Sequence, residues 1–476
     1  MRKAKTQVIL CGLPSILTRR KRKSAFENRG SDYSLLAKHR KERITMVCEN
    51  INVNEKGNLA FAGFDTAELA AKHGTPLYLM DEDRIRHNCR IYLKAMAEAF
   101  GTEAQPLYAS KAASFKRMYE IMKEEGMGID VVSSGEIFTA LKAGFDLKNA
   151  YFHSNNKTDW DIAYAIENGI GYFVVDNSEE LYAINEAAAK AGIVQDILLR
   201  ITPGIDTHTY EAVNTGKVDS KFGSAIATGQ AEDMVRLTLS YEHIRLCGFH
   251  CHIGSQVFDS DTFLRGSDIM LDFIADMKSK LDFVTQQLDL GGGYGVRYVE
   301  SDPTIDIAAN IAQVAANVKA KCHCLGLDIP KILMEPGRSI VADAGMTLYT
   351  VGTVKTIPGY KNYVSIDGGM TDNPRFALYG SAYTVFVANK MNETADFVCS
   401  LVGRCCESGD IIQENITIPR PVRGDIAAVC TTGAYNYSMA SNYNGIARPP
   451  IVMLSGGRDY VAVKRESLED IAANDI

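Results

Sequence analysis

Between residues 105 and 340 short apolar runs alternate with stretches of helical period. The runs lie at 105–109, 129–132, 150–153, 171–175, 196–201, 246–251, 283–290 and 331–334. They are nearly continuous in Val, Ile, Leu, Phe and Tyr, as expected of strands buried on both faces of a parallel sheet. Between them, 134–143, 159–168 and 178–191 repeat apolar residues three and four apart, the spacing of helices that cover such a sheet. Asp81 is read as the cap of a further helix that runs to about Phe100. Eight strands over roughly 235 residues match the number and size of a (β/α)8 barrel. The competing architecture, an open doubly wound sheet, wants a glycine-rich turn after its first strand. That turn here reads Ala109-Ser110-Lys111-Ala112.

The pattern changes after Val341. Runs at 346–353, 363–366, 397–402 and 426–430 are β-rich, with Pro and Gly between them. The predicted fold class is therefore α/β: a (β/α)8 barrel over 81–340 and a β domain, sandwich-like or a Greek-key-like barrel, formed by 46–80 together with 341–476. At 476 residues two domains are the expected number.

Charge is unevenly placed. Residues 1–45 hold 13 Lys+Arg against 3 Asp+Glu, out of 51 and 58 in the whole chain, which leaves the remainder at −17. An acidic body argues against nucleic acid as a partner. The basic head, with Arg19-Arg20-Lys21-Arg22-Lys23, lacks the small-residue cleavage site of a secretory signal. Met46 opens a segment that reads like an ordinary N-terminus, so 1–45 is expected to be a disordered extension or an upstream mis-start. No run reaches the 18 apolar residues of a spanning helix, and no membrane partner is expected. Eleven cysteines without a CxxC pair suggest reduced thiols and a cytoplasmic protein. Cys322-His323-Cys324 brings only three ligands together within a helical pattern, and no metal is assigned there.

Barrels carry their chemistry at the carboxyl ends of the strands. Those ends hold Lys111, Asp130, His153, Asp176, Arg200, His250 with His252, Gly291-Gly292-Gly293, and Glu335. A lysine delivered to a cavity suits covalent attachment of a carbonyl, because desolvation frees its amine; the alternative is a strand-end lysine snorkelling to solvent. Three consecutive glycines let backbone N–H groups approach an anion, most often phosphate, or simply make a tight turn. Glu335, in Glu335-Pro336-Gly337-Arg338, is either one half of a Glu–Arg pair or a carboxylate that keeps a pyridine nitrogen protonated. His250-Cys251-His252 sets two imidazoles on one face, a spacing that also suits zinc in a barrel hydrolase. Here, however, the pair falls on the sixth strand rather than the first. Cys406, next to Glu407 in the β domain, has no local base to make it a nucleophile and is read as a proton donor.

Taken together, Lys111 in Tyr-Ala-Ser-Lys-Ala, His252-Ile-Gly-Ser255-Gln256, the glycines 291–295, Glu335-Pro-Gly337-Arg338 and Cys406-Glu407-Ser-Gly-Asp410 resemble the diaminopimelate decarboxylases, over about 46–465. These are pyridoxal 5′-phosphate enzymes built from an alanine-racemase-like barrel and a C-terminal β domain. The resemblance implies that Lys111 carries the cofactor, His252 stacks on its ring, Ser255 and Gly291 to Gly293 hold its phosphate, and Glu335 pairs with its ring nitrogen. Asp130, Gly337 and Arg338 complete that cofactor site. Arg338, Arg375 and Tyr379 are implied in binding substrate carboxylates, Glu407 the distal ammonium, and Tyr435 both cofactor and substrate. Cys406 is implied as the proton donor, contributed across a homodimer with shared active sites. The implied reaction is decarboxylation of meso-2,6-diaminopimelate to L-lysine, the last step of lysine biosynthesis. Alternatives are a decarboxylase of ornithine, arginine, a D-amino acid or carboxynorspermidine. More distant ones are a racemase, which would set an Arg near the ring nitrogen, and a non-catalytic carrier of the cofactor. One departure is that Asn444-Gly-Ile-Ala-Arg448 lacks the basic residue usual in that loop. The basic head has no counterpart in the family. A chain begun at Met46 is therefore expected to keep its solubility and full turnover, and a loss of either in a side-by-side assay would make the head part of the enzyme.

Overall fold

A computed structural model describes residues 46–205 and 220–476; the basic head lies outside the described residues. Eight parallel strands form its centre: β1 Gln105–Ala109, β2 Gly128–Val131, β3 Ala150–Phe152, β4 Tyr172–Val175, β5 Gln195–Thr202, β6 Ile244–His250, β7 Gln287–Asp289 and β8 Lys331–Met334. Each pairs with the next in sequence. The ring closes where Leu333 and Met334 of β8 lie beside Gln105 and Pro106 of β1.

Local signals set the covering helices. Ser133, Thr158 and Asn177 each accept a backbone N–H at the start of Ser134–Lys142, Asp159–Glu167 and Ser178–Ala191. Gly192 and Gly326 take left-handed conformations that stop Ser178–Ala191 and Ile307–Leu325. The run expected as a strand over 283–290 is shorter, only Gln287–Asp289. The helix Ser260–Leu281 ends on Asp282 in a left-handed conformation, and the next residues are spent in returning to the sheet. Val284 there is exposed. A short apolar run does not by itself distinguish a strand from a packed connection.

Alternation along the strands sets the chemistry of the barrel interior. Leu107, Tyr151, Val174, Leu198, Cys247 and Leu333, from six strands, form one buried inner cluster. Tyr151 stacks on Tyr172 at 4.4 Å and donates its hydroxyl to Gln287 Oε1 at 2.9 Å. Two residues further along, on the same face, come Ala109, His153, Asp176, Arg200 and Glu335; Asp289 follows Gln287 in the same way. An apolar plug thus supports a polar layer at the carboxyl ends. β6 joins this scheme through a bulge. Its register against β5 slips between Leu246 and Gly248, so Cys247 and His250 both serve the interior. Gly248 is required there, since a Cβ would overlap the Gln287 backbone.

The second sheet is built on the long strand Gly345–Ile357. It pairs antiparallel with Leu77–Asp81, Lys361–Ile366 and Ile426–Cys430. Leu77–Asp81 also pairs parallel with Ile451–Ser455, so the segment before the barrel is built into the sheet that follows it. Leu59, Phe61, Leu69, Leu77, Leu79, Met346, Leu348 and Val452 share a separate core there. Helix Thr66–His73, within the segment assigned to the β domain, begins where Asp65 accepts the N–H groups of Ala67 and Glu68.

Candidate active site

At the carboxyl end of the barrel lies a basin of about 450 Å³, lined in part by residues of the second sheet's domain. Ten of the sequence-predicted residues face it: Lys111, His252, Ser255, Gly293, Glu335, Gly337, Arg338, Arg375, Tyr379 and Tyr435. Lys111 follows β1 in a single 3-10 turn, Ser110–Ala112. Burial disfavours its charge, but Asp130, Tyr435 and Glu335 outweigh that and raise its pKa. Asp130, at the end of β2, is 2% exposed, and burial raises its carboxyl in turn.

Glu335 follows β8 into the polar layer. His153 Nε2 lies 2.7 Å from its Oε1, and His250 Nε2 lies 3.2 Å from its Oε2. Burial alone would raise this carboxyl, yet the two imidazoles hold it well below the usual range, as an anion. Burial keeps His250 down at about 4, hence neutral, so its Nε2–H donates to Glu335. His250 and His252, expected on one face of a strand, both line the basin, but β6 ends at His250, and His252 stands beyond it against the glycine loop, where its Nδ1 accepts the Gly292 N–H at 3.3 Å.

That loop is a close-approach device. Gly291 and Gly293 have φ of +68° and +118°. A Cβ on Gly292 would overlap Glu335 O, and one on Gly293 would lie 2.6 Å from Gly254 O. Beside it the Arg338 guanidinium donates to Ser255 Oγ at 2.9 Å and to the Tyr298 hydroxyl at 2.6 Å. The Tyr435 ring lies between two guanidiniums, 4.9 Å from that of Arg338 and 5.2 Å from that of Arg375. Tyr435 holds a positive φ of 63°, fixed by its N–H donating to Ala112 O at 2.7 Å. Strain of this kind persists where the surroundings dictate it.

Cys406 and Glu407 are not brought to the basin. They are exposed on the loop between Phe397–Val402 and Ile411–Ile418. Asp410 of the same motif is buried and accepts the N–H groups of Met370 and Cys405, at 2.6 and 2.7 Å. It ties this loop to the one that precedes Arg375, a structural duty the motif did not reveal. Tyr298 was missed altogether: it lies in an irregular segment with no strand-end signal. Asp289, two residues before the glycines, was given no role, although it ends β7 as Glu335 follows β8.

The basin wall also carries Ser154, at φ 144°. Its loop is pinned by Lys157, a fully buried amine that donates to Val174 O at 2.8 Å, Ser154 O at 3.2 Å and Glu180 Oε1 at 2.5 Å. Replacing Lys157 by Met strands the Glu180 carboxylate, and we expect a loss of about 3–5 kcal/mol. Urea unfolding measures it, and the double variant with Glu180→Leu should regain most of the difference.

The donor set can be tested against pyridoxal 5′-phosphate. The Lys111 amine that lines the basin suits its aldehyde, and the anionic Glu335 carboxylate suits its ring N–H. A side-chain-free loop beside Ser255 and Arg338 meets its phosphate. The residues fit the group. His153, His250, Asp289 and Glu335 also have ligand atoms within 4.8 Å of one another, a spacing that a cation tolerates. Yet His250 Nδ1 lacks the hydrogen-bond partner that usually orients a metal-bound imidazole, and a metal leaves Lys111 and the glycine cradle without a task.

Comparison with known proteins agrees with the geometry. Residues 83–342 match the family model for the pyridoxal-binding domain of pyridoxal-dependent decarboxylases. A diaminopimelate decarboxylase of Bacillus subtilis is 44% identical over 423 residues, 89% of this chain and 96% of the relative. One from Staphylococcus aureus is 42% identical over 426 residues, 89% of this chain and 99% of its own length. The crystal structure of diaminopimelate decarboxylase from M. jannaschii in complex with L-lysine superimposes with a TM-score of 0.84 at 32% identity, covering 91% of this chain and 99% of that one.

Proposed function

Because this chain belongs to the pyridoxal-dependent decarboxylases, and within them to the diaminopimelate decarboxylases, we propose that its basin takes meso-2,6-diaminopimelate, releases carbon dioxide from the D centre and leaves L-lysine, the last step of lysine biosynthesis. The observation that carries this reading is a lysine that lines one basin with an anionic carboxylate and a glycine cradle.

Bound pyridoxal 5′-phosphate supplies an electron sink for the carbanion that a departing carboxylate leaves behind. Lys111 would hold the cofactor covalently, His252 would cover its ring, and Gly291 to Gly293, Ser255 and Arg338 would hold its phosphate. Asp130 keeps the Lys111 amine charged until a neutral amine is needed. Glu335 keeps the proton on the ring nitrogen, and its two imidazole neighbours support that role because they stabilise its anion. Arg375, Arg338, Tyr379 and Tyr435 bind substrate carboxylates. Two guanidiniums flanking one tyrosine ring support this, since fork-shaped donors suit a substrate with two carboxylates. Glu407 recognises the distal ammonium, and Cys406 returns the proton to the carbon that lost its carboxylate. Both come from the neighbouring subunit of a homodimer, a reading supported by their exposure outside the basin of their own chain. No described helix is long and apolar enough to cross a membrane, and ten unpaired thiols among the described residues support a reducing cytoplasm.

Product analysis tests the substrate. The holoenzyme is given the diaminopimelate isomers, lysine, ornithine and arginine in turn. Consumption of the meso isomer alone, with L-lysine and carbon dioxide formed one to one, is expected. Comparable turnover of ornithine or arginine would move the assignment to another basic amino acid.

A further inference from the structure

Glu335 has a second carboxylate for a neighbour. Alternation along β7 sends Asp289 into the same polar layer, where it is 0% exposed. Its Oδ1 accepts the Gly291 N–H at 2.8 Å. Its Oδ2 has no hydrogen-bond partner among the described residues. One oxygen of each carboxylate lies within 4.8 Å of the other, in a knot completed by ring nitrogens of His153 and His250. Two buried carboxylates this close disfavour each other's ionisation.

The surroundings decide which of them is neutral. Glu335 receives His250 Nε2–H and has His153 Nε2 2.7 Å from its Oε1. Asp289 has one backbone N–H. The other charged groups of the layer, Asp130, Lys111 and Arg200, face both carboxylates or Glu335 more than Asp289. Burial and the neighbouring Glu335 push Asp289 well above the usual carboxylate range.

We propose that Asp289 holds a proton and donates it from Oδ2 to Glu335, so that it acts as a positioning residue which keeps Glu335 ionised and couples it to the glycine cradle. A carboxylic acid kept neutral so that it can donate is an established use of an apolar, crowded site. Through Oδ1 and Gly291 the same side chain orders the loop assigned to the phosphate, so one residue links the two ends of the cofactor site. The inference rests on the reading of Glu335 as the partner of the ring nitrogen.

The experiment compares Asp289→Asn, which keeps a donor without an acid proton, with Asp289→Ala, which keeps neither. The wild-type minus Asp289→Asn infrared difference spectrum of the cofactor-free protein should contain the C=O stretch of a buried protonated carboxylic acid, shifted in D2O. Titration with pyridoxal 5′-phosphate, followed by absorbance, should show binding weakened by ~10-fold or more in Asp289→Ala, of which Asp289→Asn recovers all but ~3-fold. A difference spectrum without that band, or an Asn variant as poor as Ala, overturns the proposal. Should Asp289→Ala fail to fold, the infrared band and the Asn titration decide it alone. Glu335→Gln is the separate control. If it leaves cofactor affinity and absorption unchanged, the reading of Glu335 fails, while the infrared result still reports where the proton is.

Discussion

Lys111→Ala should give a folded protein that takes up no cofactor covalently and turns over roughly 10³-fold or more slowly than the wild type. The argument begins in the turn. Lys111 is the residue that leaves β1, and the 3-10 turn Ser110–Ala112 directs it over the polar layer. Tyr435 N–H closes on Ala112 O, which holds that turn from the other domain's side. The fold does not depend on the amine. Burial already favours the protonated form of Asp130, so loss of the cation lets that carboxyl take a proton instead of standing as an uncompensated charge. The wild-type holoenzyme should absorb near ~420 nm, as such a covalent linkage does. Borohydride should then fix the label on a peptide that contains Lys111. A label on Lys157, the buried amine that pins the Ser154 loop, would sink the assignment.

The second large effect is complementation. Lys111→Ala and Cys406→Ala homodimers should each be nearly dead. Mixed with subunit exchange, they should recover about one quarter of wild-type activity, on the model of a symmetric two-fold dimer. Half of the randomly formed dimers then pair one variant with the other, and in each of those one of the two sites holds both Lys111 and Cys406. The structural reason lies in the position of the thiol. Cys406 is exposed, its N–H donates to Asn444 Oδ1 at 2.7 Å, and Asp410 anchors its loop to the segment before Arg375. The loop is held firmly in its own domain and presents the thiol outward, as a contribution to a neighbour requires. If Cys406 served its own chain, no site in the mixture would hold both groups. An inactive mixture with exchange shown by mass spectrometry therefore refutes the shared site.

Much of the barrel and of its chemistry was legible along the chain. Strand period is two and helix period is 3.6, and both are local properties. Eight apolar runs therefore announced eight strands, and reading the carboxyl end of each led to His153, Arg200 and Glu335. Capping residues such as Ser133 and Thr158 act on N–H groups two or three residues away, so helix starts were equally readable. The order of the five motifs carried the family, because each motif keeps its backbone geometry within a few residues.

Other features needed the closed barrel. Nothing near Glu335 in sequence identifies the two imidazoles that keep it anionic; His153 comes from the end of β3 and His250 from the end of β6. The bulge between Leu246 and Gly248 decides which side chains of β6 face inward, and it exists because Gly248 packs against the backbone of β7. Asp410 could be read as chemistry until its two backbone partners were seen. The division follows the range of the forces. Backbone period, turns and caps are decided by neighbours along the chain. Which of two buried carboxylates keeps its proton is decided by charges that meet only when separate strands converge in a space closed to water.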